Sequence, residues 1–197
     1  MTAPVKMNFK VYQGSTFSEV LRWESSTKVY KTITGITQAA PMAVTTSSPL
    51  GCPVGWRTRI TNVSGMKEVN CTSDTYYTVT DIAGNVNTYN SVNSLGYSTY
   101  VSGGVIEYNE PVDLAGLTAR MQIRGKLEDT DVIKELTTEN GGISINNTNK
   151  TITITISATD TAAMTFSQAV YSLELVNGSI VTPFINGSLT LVKEVTR

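Results

Sequence analysis

EPVDLAGLTARMQIR, residues Glu110 to Arg124, decides the fold. From Leu117 the chain alternates with a period of two. Leu117, Ala119, Met121 and Ile123 fall on one side, and Thr118, Arg120, Gln122 and Arg124 on the other. That alternation marks a half-buried strand, opened by Pro111 and Gly116, which set a turn-like backbone. A strand with one apolar face needs a sheet and a second layer to cover it. Its expected strand partners lie on both sides; upstream the nearest are Asn8 to Val11 and Thr16 to Trp23, and the segment between them and Glu110 has a different character. Glu110 therefore reads as the point where an interrupted domain resumes. The expectation is a discontinuous outer domain, residues 1–30 and 109–197, around an insert of residues 31–108.

Composition limits the function classes. Charged residues make up 16 % of the 197 and nearly cancel, leaving a formal net charge of -1. No basic run is present, so binding to nucleic acid or to an anionic membrane is not expected. Thr, Ser, Asn, Val and Ile dominate, the usage of an all-β protein with many turns. No apolar run reaches bilayer length, and the opening MTAPVKMNFK lacks the apolar core of a signal peptide. Synthesis in a cytoplasm is expected, whatever the destination. The chain has no histidine, which removes Ser-His-Asp and Cys-His catalysis. No glycine-rich phosphate loop opens a helix, and no cofactor is implied. Cys52 and Cys71 read either as two small, partly buried thiols or as a disulfide, which would require neighbouring strands. Without histidine they make a weak zinc site, and metal is discounted.

Outward from the resumption strand, Val132 to Leu136, Ile143 to Ile145 and Thr151 to Ser157 read as strands, with Ile152, Ile154 and Ile156 on one face. Ser157 and Asp160 resemble a capping box that starts a helical turn over Ala158 to Met164. Val170 to Val176, Ile180 to Ile185 and Ser188 to Val195 follow, with Asn177-Gly178 and Asn186-Gly187 as hairpin turns. At the N-terminus, Met7 to Val11 and Thr16 to Trp23 are strands. Glu19 interrupts an apolar face there, as at a bulge or an exposed edge. Met1 to Lys6 show no strand pattern. The outer domain is thus expected to be an antiparallel β-sandwich of seven to nine strands.

The insert reads as about six short strands: Lys31 to Thr37, Met42 to Thr46, Arg59 to Val63, Tyr76 to Ile82 with Val86 to Val92 paired back on it, Tyr97 to Tyr100 and Val105 to Tyr108. Short strands at close spacing with Gly and Asn between them suggest a small β-barrel or sandwich, the barrel being the expectation taken forward. Six tyrosines concentrate here: Tyr76, Tyr77, Tyr89, Tyr97, Tyr100 and Tyr108. Cross-strand packing accounts for them, and Tyr97, Tyr100 and Tyr108 are also the best candidates for an interaction surface. Glu128, Asp129 and Asp131 lack the Gly and closing Glu of a calcium loop and read as a solvated turn. Glu135, Glu174 and Asp113 lie on ordinary strands and loops, where solubility explains them. No catalytic, cofactor-binding or metal-binding residue is assigned.

Two resemblances then become visible. TFSEVLRW, PVDLAGLTARMQIR, GGISI, TITITISATDTAAM, YSLEL and GSLTLVKEVTR, in that order, resemble small bacteriophage tail proteins. They are similar to the N-terminal domain of the baseplate upper protein, which builds rings around a tail and carries receptor-binding parts. The matching residues are Pro111, Asp113, Leu114 and Gly116 before the central strand, Thr161 and Ala162 in the short helix, then Tyr171, Gly187 and Glu194 to Arg197. The middle segment resembles the small barrel of the first catalytic-cysteine half-domain of ubiquitin-activating enzymes, which recurs in phage proteins. It matches at Val63, Gly65, Met66, Glu68, Asn70, Tyr77, Val79, Gly96, Tyr97, Tyr100, Ser102, Gly103 and Gly104, with Cys71 where a glycine is common. That half-domain does not hold the nucleophile, and neither Cys52 nor Cys71 matches one.

The resemblance implies a structural, non-enzymatic component of a tailed-phage virion, in the tail, baseplate, neck or fibre-attachment region. Its expected partners are other virion proteins and copies of itself in a ring. A capsid decoration protein is the alternative of the same class. A carbohydrate-binding module on host surface glycans, with Tyr97 and Tyr100 as platforms, is the alternative of a different class.

Overall fold

A computed structural model describes residues 3–194 of the protein, which are nearly all β with one short α-helix. Two compact units divide the chain, one formed by residues up to Arg22 and from Asp113 onward, the other by Trp23–Val112. The outer unit opens with β1 (Val5–Lys6), β2 (Phe9–Tyr12) and β3 (Phe17–Leu21). The second unit then holds β4 (Glu24–Ile36), β5 (Met42–Thr46), β6 (Arg57–Ser64), a 3-10 turn (Lys67–Val69) and β7 (Tyr77–Thr78). It ends with β8 (Asp81–Ala83), β9 (Val86–Tyr89) and β10 (Ser102–Pro111). The outer unit resumes with β11 (Thr118–Arg124), β12 (Lys134–Thr137), β13 (Ile143–Asn146), β14 (Thr151–Ile156), α1 (Ala158–Ala163), β15 (Gln168–Asn177) and β16 (Ile180–Val192).

In the outer unit one sheet runs β1-β16-β15-β11-β12, with β2 also on β16, and a second runs β13-β14-β3. The alternation around Met121 does what it predicts: Ala119, Met121 and Ile123 are buried, and the residues between them are not. Ile152, Ile154 and Ile156 of the second sheet are buried too. Phe9 stacks on Tyr171 with ring centroids 5.2 Å apart and meets Phe17 of the second sheet edge-on at 5.4 Å, so aromatic packing joins the layers. The partners of β11 are β12 and β15, both downstream. The two upstream strands pair elsewhere, β2 with β16 and β3 with β14. Glu19 sits on β3, an edge strand, which is how its apolar face tolerates a carboxylate. Ser157 caps α1, its hydroxyl accepting from Asp160 N at 3.1 Å and donating to the Asp160 carboxylate at 2.7 Å.

Asn186-Gly187 is not a hairpin turn. It lies inside β16, which is one strand from Ile180 to Val192. Glycine is required there for another reason: a Cβ on Gly187 would fall 1.8 Å from the Met7 carbonyl oxygen. At that point the N-terminal strand steps from β1 to β2. Met7 N donates to Asn186 O at 2.8 Å, Ser188 N to Asn8 Oδ1 at 3.0 Å, and the Tyr171 hydroxyl to Met7 O at 2.8 Å. Val5 and Lys6, which carry no strand pattern of their own, pair in parallel with Ile185 and Asn186. Of the N-terminal arm, residues 1 and 2 lie outside the described residues, as do 195–197 in the C-terminal match.

The second unit carries a seven-stranded sheet, β7-β6-β10-β4-β5-β9-β8, with free ends at β7 and β8. β7 and β8 are not paired with each other, so the strand order is open. Trp56, Tyr89, Met42, Leu50, Ile60, Met66 and Ile106 fill its interior. Ser25 to Thr27, where the sequence pattern breaks, lie within β4, so the strand begins at Glu24 and not at Lys31. Tyr76 to Ile82 splits in two because the chain changes partners: Tyr77–Thr78 pair with β6 and Asp81–Ala83 with β9. Tyr97 to Tyr100 form a loop. The residues that carry the half-domain resemblance hold these loops together. Glu68 accepts from Ser98 N at 2.9 Å and Ser98 Oγ at 2.8 Å. The Asn70 amide exchanges two hydrogen bonds with the Val63 backbone, at 2.9 and 3.1 Å.

Hydrogen bonds from its own backbone N–H and from Ser98 hold the Glu68 carboxyl below its ordinary value of 4.5. A depressed folded-state value makes the contribution present above the unfolded value and lost as pH falls through the folded one. The wild type should therefore lose more of its Tm than Glu68→Gln between about pH 6 and about pH 3. Equal losses in thermal melts would remove Glu68 as a source of acid sensitivity.

Candidate interaction surfaces

The tyrosines of the second unit mostly pack. Tyr108 is 5 % exposed, and burial pushes its phenol pKa up. The single Tyr100 hydroxyl proton is shared between Ile33 O at 3.2 Å and Gly103 O at 3.0 Å. Tyr97 and Tyr100 both lie against the core, as does Tyr77, which meets the buried Tyr89 edge-on at 5.9 Å. Tyr89 shares a 3.1 Å hydrogen bond with Thr58 Oγ1. Of Tyr97, Tyr100 and Tyr108, the last is buried and the other two are half-buried against the core. Of the six, only Tyr76 is exposed, at 49 %.

The exposed aromatic face of this unit lies elsewhere, on the outside of β6, β10 and β4. Glu107 stands opposite Arg59 on one side and Tyr30 on the other, so the three share one row of one face. Tyr30 is 58 % exposed. Lys28 Nζ and Arg59 Nη1 both bond Glu107 Oε1, at 2.9 and 3.0 Å, and Arg59 Nη2 donates to Thr72 O at 3.0 Å. Arg57 forms a fork with Glu24, both bonds 2.7 Å, while Asn109 Nδ2 donates to the same carboxylate at 3.0 Å. The Tyr76 ring lies 4.9 Å from the Arg57 guanidinium and 6.0 Å from that of Arg59. The hydrogen bonds to Glu107 raise the Lys28 pKa and those to Glu24 raise that of Arg57.

This network fixes long side chains in place, so the face is already ordered. Tyrosine and arginine are the residue types enriched at the centres of protein interfaces. Sequence reasoning missed Tyr30 because the turn-like Ser25 to Thr27 hid the start of β4. The alternation of Lys28, Tyr30 and Thr32 against Val29 and Ile33 was the available signal.

The carboxylates read from the sequence have surface partners. Glu174 pairs with Arg120 at 2.8 Å, Glu135 accepts from Gln122 at 2.8 Å, and Asp113 pairs with Lys150 at 3.0 Å. Asp129 accepts from Lys126 N at 2.9 Å, closing the turn that also carries Glu128. No disulfide joins Cys52 and Cys71, and Cys71 Sγ accepts from Ile60 N at 3.4 Å. No protein-family model matches the chain, and no curated protein matches it.

Proposed function

We propose that the chain is a structural component of a tailed-phage virion, in the tail, neck or fibre-attachment region, working through subunit contacts and not catalysis. One observation carries this reading. The stretches that resemble the phage baseplate domain are scattered from Thr16 to the C-terminus, yet their described parts supply β3, β11, β13, β14 with α1, β15 and β16 of a single unit. A chance likeness of short strands has no reason to gather in one unit and skip the insert. The outer unit would dock on a virion ring, with the free edges of its sheets and its N-terminal arm as docking elements. The inserted unit would serve as a second contact module, presenting Tyr30, Tyr76 and Arg57. The sugar-platform alternative is less favoured, since Tyr97 and Tyr100 are half-buried against the core.

The test is complementation of a null phage with an epitope-tagged gene, followed by imaging of purified particles. Ring-symmetric density for the chain at the tail or neck is expected. Its absence from particles, or its presence only on the capsid shell, would sink the reading. Removal of residues 1–4 spares both paired residues of β1 and is expected to leave folding intact while lowering incorporation. Normal incorporation would move docking to the sandwich edges or the inserted unit.

A further inference from the structure

The outer face of the larger sheet of the outer unit holds a groove of 750 Å³. Strand register lays its floor in two rows. Lys6, Asn186, Ser172 and Gln122 stand side by side across β1, β16, β15 and β11. The second row is Ser188, Val170 and Arg124. The floor is thus amide and hydroxyl in character, with Leu127, 81 % exposed, as an apolar lip.

Lys6 and Arg124 line the groove and no Asp or Glu does, while Glu135 stands beside its floor, accepting from Gln122 Nε2 at 2.8 Å. Arg124 is aimed by neutral acceptors, Asp129 O and Gln122 Oε1, so its direction is fixed while its charge is not cancelled. Among the described residues neither cation forms an ion pair. The adjoining part of the same face differs, because there Arg120 is neutralised by Glu174.

We infer that this groove is a binding site for an extended acidic peptide segment of a partner protein. A carboxylate of the segment meets the Arg124 guanidinium and a second meets Lys6, both charge-assisted contacts. Its backbone amides bond the side chains of Ser172, Asn186 and Ser188, and an apolar residue covers Leu127. An acidic glycan fits less well. The one aromatic ring in the lining, Tyr171, is 4 % exposed and has its hydroxyl committed to Met7 O, which leaves no ring face for a sugar. The inference concerns the purified chain alone and does not depend on a virion location.

The probe is a short fluorescein-labelled peptide of Glu, Asp, Leu and Ser, titrated into the full-length protein by anisotropy and mapped by amide chemical shifts. Binding that shifts Gln122, Ser172 and Ser188, weakens with salt, and falls about tenfold in Arg124→Gln is expected. Lys6→Gln, at an exposed position in a two-residue strand, should also weaken binding and keeps the test decisive if Arg124→Gln disturbs its loop. Shifts confined to other surfaces, equal affinity for a matched Lys peptide, or unchanged affinity in both variants would overturn the inference. Tighter binding of a sulfated oligosaccharide at the same residues would overturn it in favour of a glycan.

Discussion

Gly65→Ala should destabilise the second unit by about 4 kcal/mol or more, while Gly116→Ala should cost only about 1 kcal/mol. Both glycines have positive φ, +86° and +72°, so both variants meet the left-handed penalty of an L-residue. They differ in what surrounds the new methyl group. At Gly116 no atom lies within 4 Å of it. At Gly65 it would fall 2.2 Å from Thr99 O and 2.8 Å from Val101 N, which are backbone atoms. That backbone is pinned, because Val101 N donates to Ser64 O at 3.0 Å and Gly65 O accepts from Lys67 N at 2.8 Å. Relief would require loss of the loop that Glu68 and Tyr100 also hold. Denaturant titration of both variants checks this, and a Gly65→Ala loss no larger than that of Gly116→Ala would show that residues 99–101 yield freely.

Excising residues 24–111 and joining Trp23 to Val112 through a short Asn-Gly turn should leave a sandwich that unfolds cooperatively. The two ends to be joined are already neighbours, since Val112 N donates to Trp23 O at 3.0 Å. Every strand pair of the outer unit is made among strands outside the excised span. Insertions and deletions are tolerated best where the crossing ends are close. The denaturant m-value should fall to roughly half, in proportion to the surface exposed on unfolding. A cut at Lys31 and Tyr108 should do worse, because it leaves a short β4–β10 stub, held only by the Lys28–Asn109 and Glu24–Pro111 pairs, without the rest of its sheet. Loss of a cooperative transition at several linker lengths would refute the independence of the outer unit.

The all-β class was legible because alternation around Met121 and Ile154 is clean and each strand has one buried face. So was the short helix, through Ser157 and Asp160. What escaped were features set by contacts distant in sequence. Gly187 after Asn186 has the local form of a turn, yet its glycine answers a carbonyl some 180 positions earlier in the chain, at Met7. Val5 and Lys6 gain strand geometry from β16 and carry no pattern of their own. The break at Ser25 to Thr27 suggested a boundary, but β10 continues the ladder across that region, with Asn109 opposite Lys28 and Pro111 opposite Glu24. For the candidate surfaces, tyrosine positions alone were a poor guide. Tyr108 and Tyr30 both lie on strands, and only the register of β4 against β10 decides which of them faces solvent.

The parallel pairing of β1 and β2 with β16 has a mechanical consequence. The chain enters this pair of strands at one end and leaves β16 at the other. A pull applied between the entry to β1 and the exit from β16 therefore runs along the strands, and the hydrogen bonds linking β2 to β16 are sheared together instead of being peeled one by one. Yielding then requires several bonds to fail at once, along with the Met7 and Asn8 contacts beside Gly187. Tension along this axis falls on a zip held shut crosswise, whereas a pull that lifts β1 away from the sheet meets only one bond at a time.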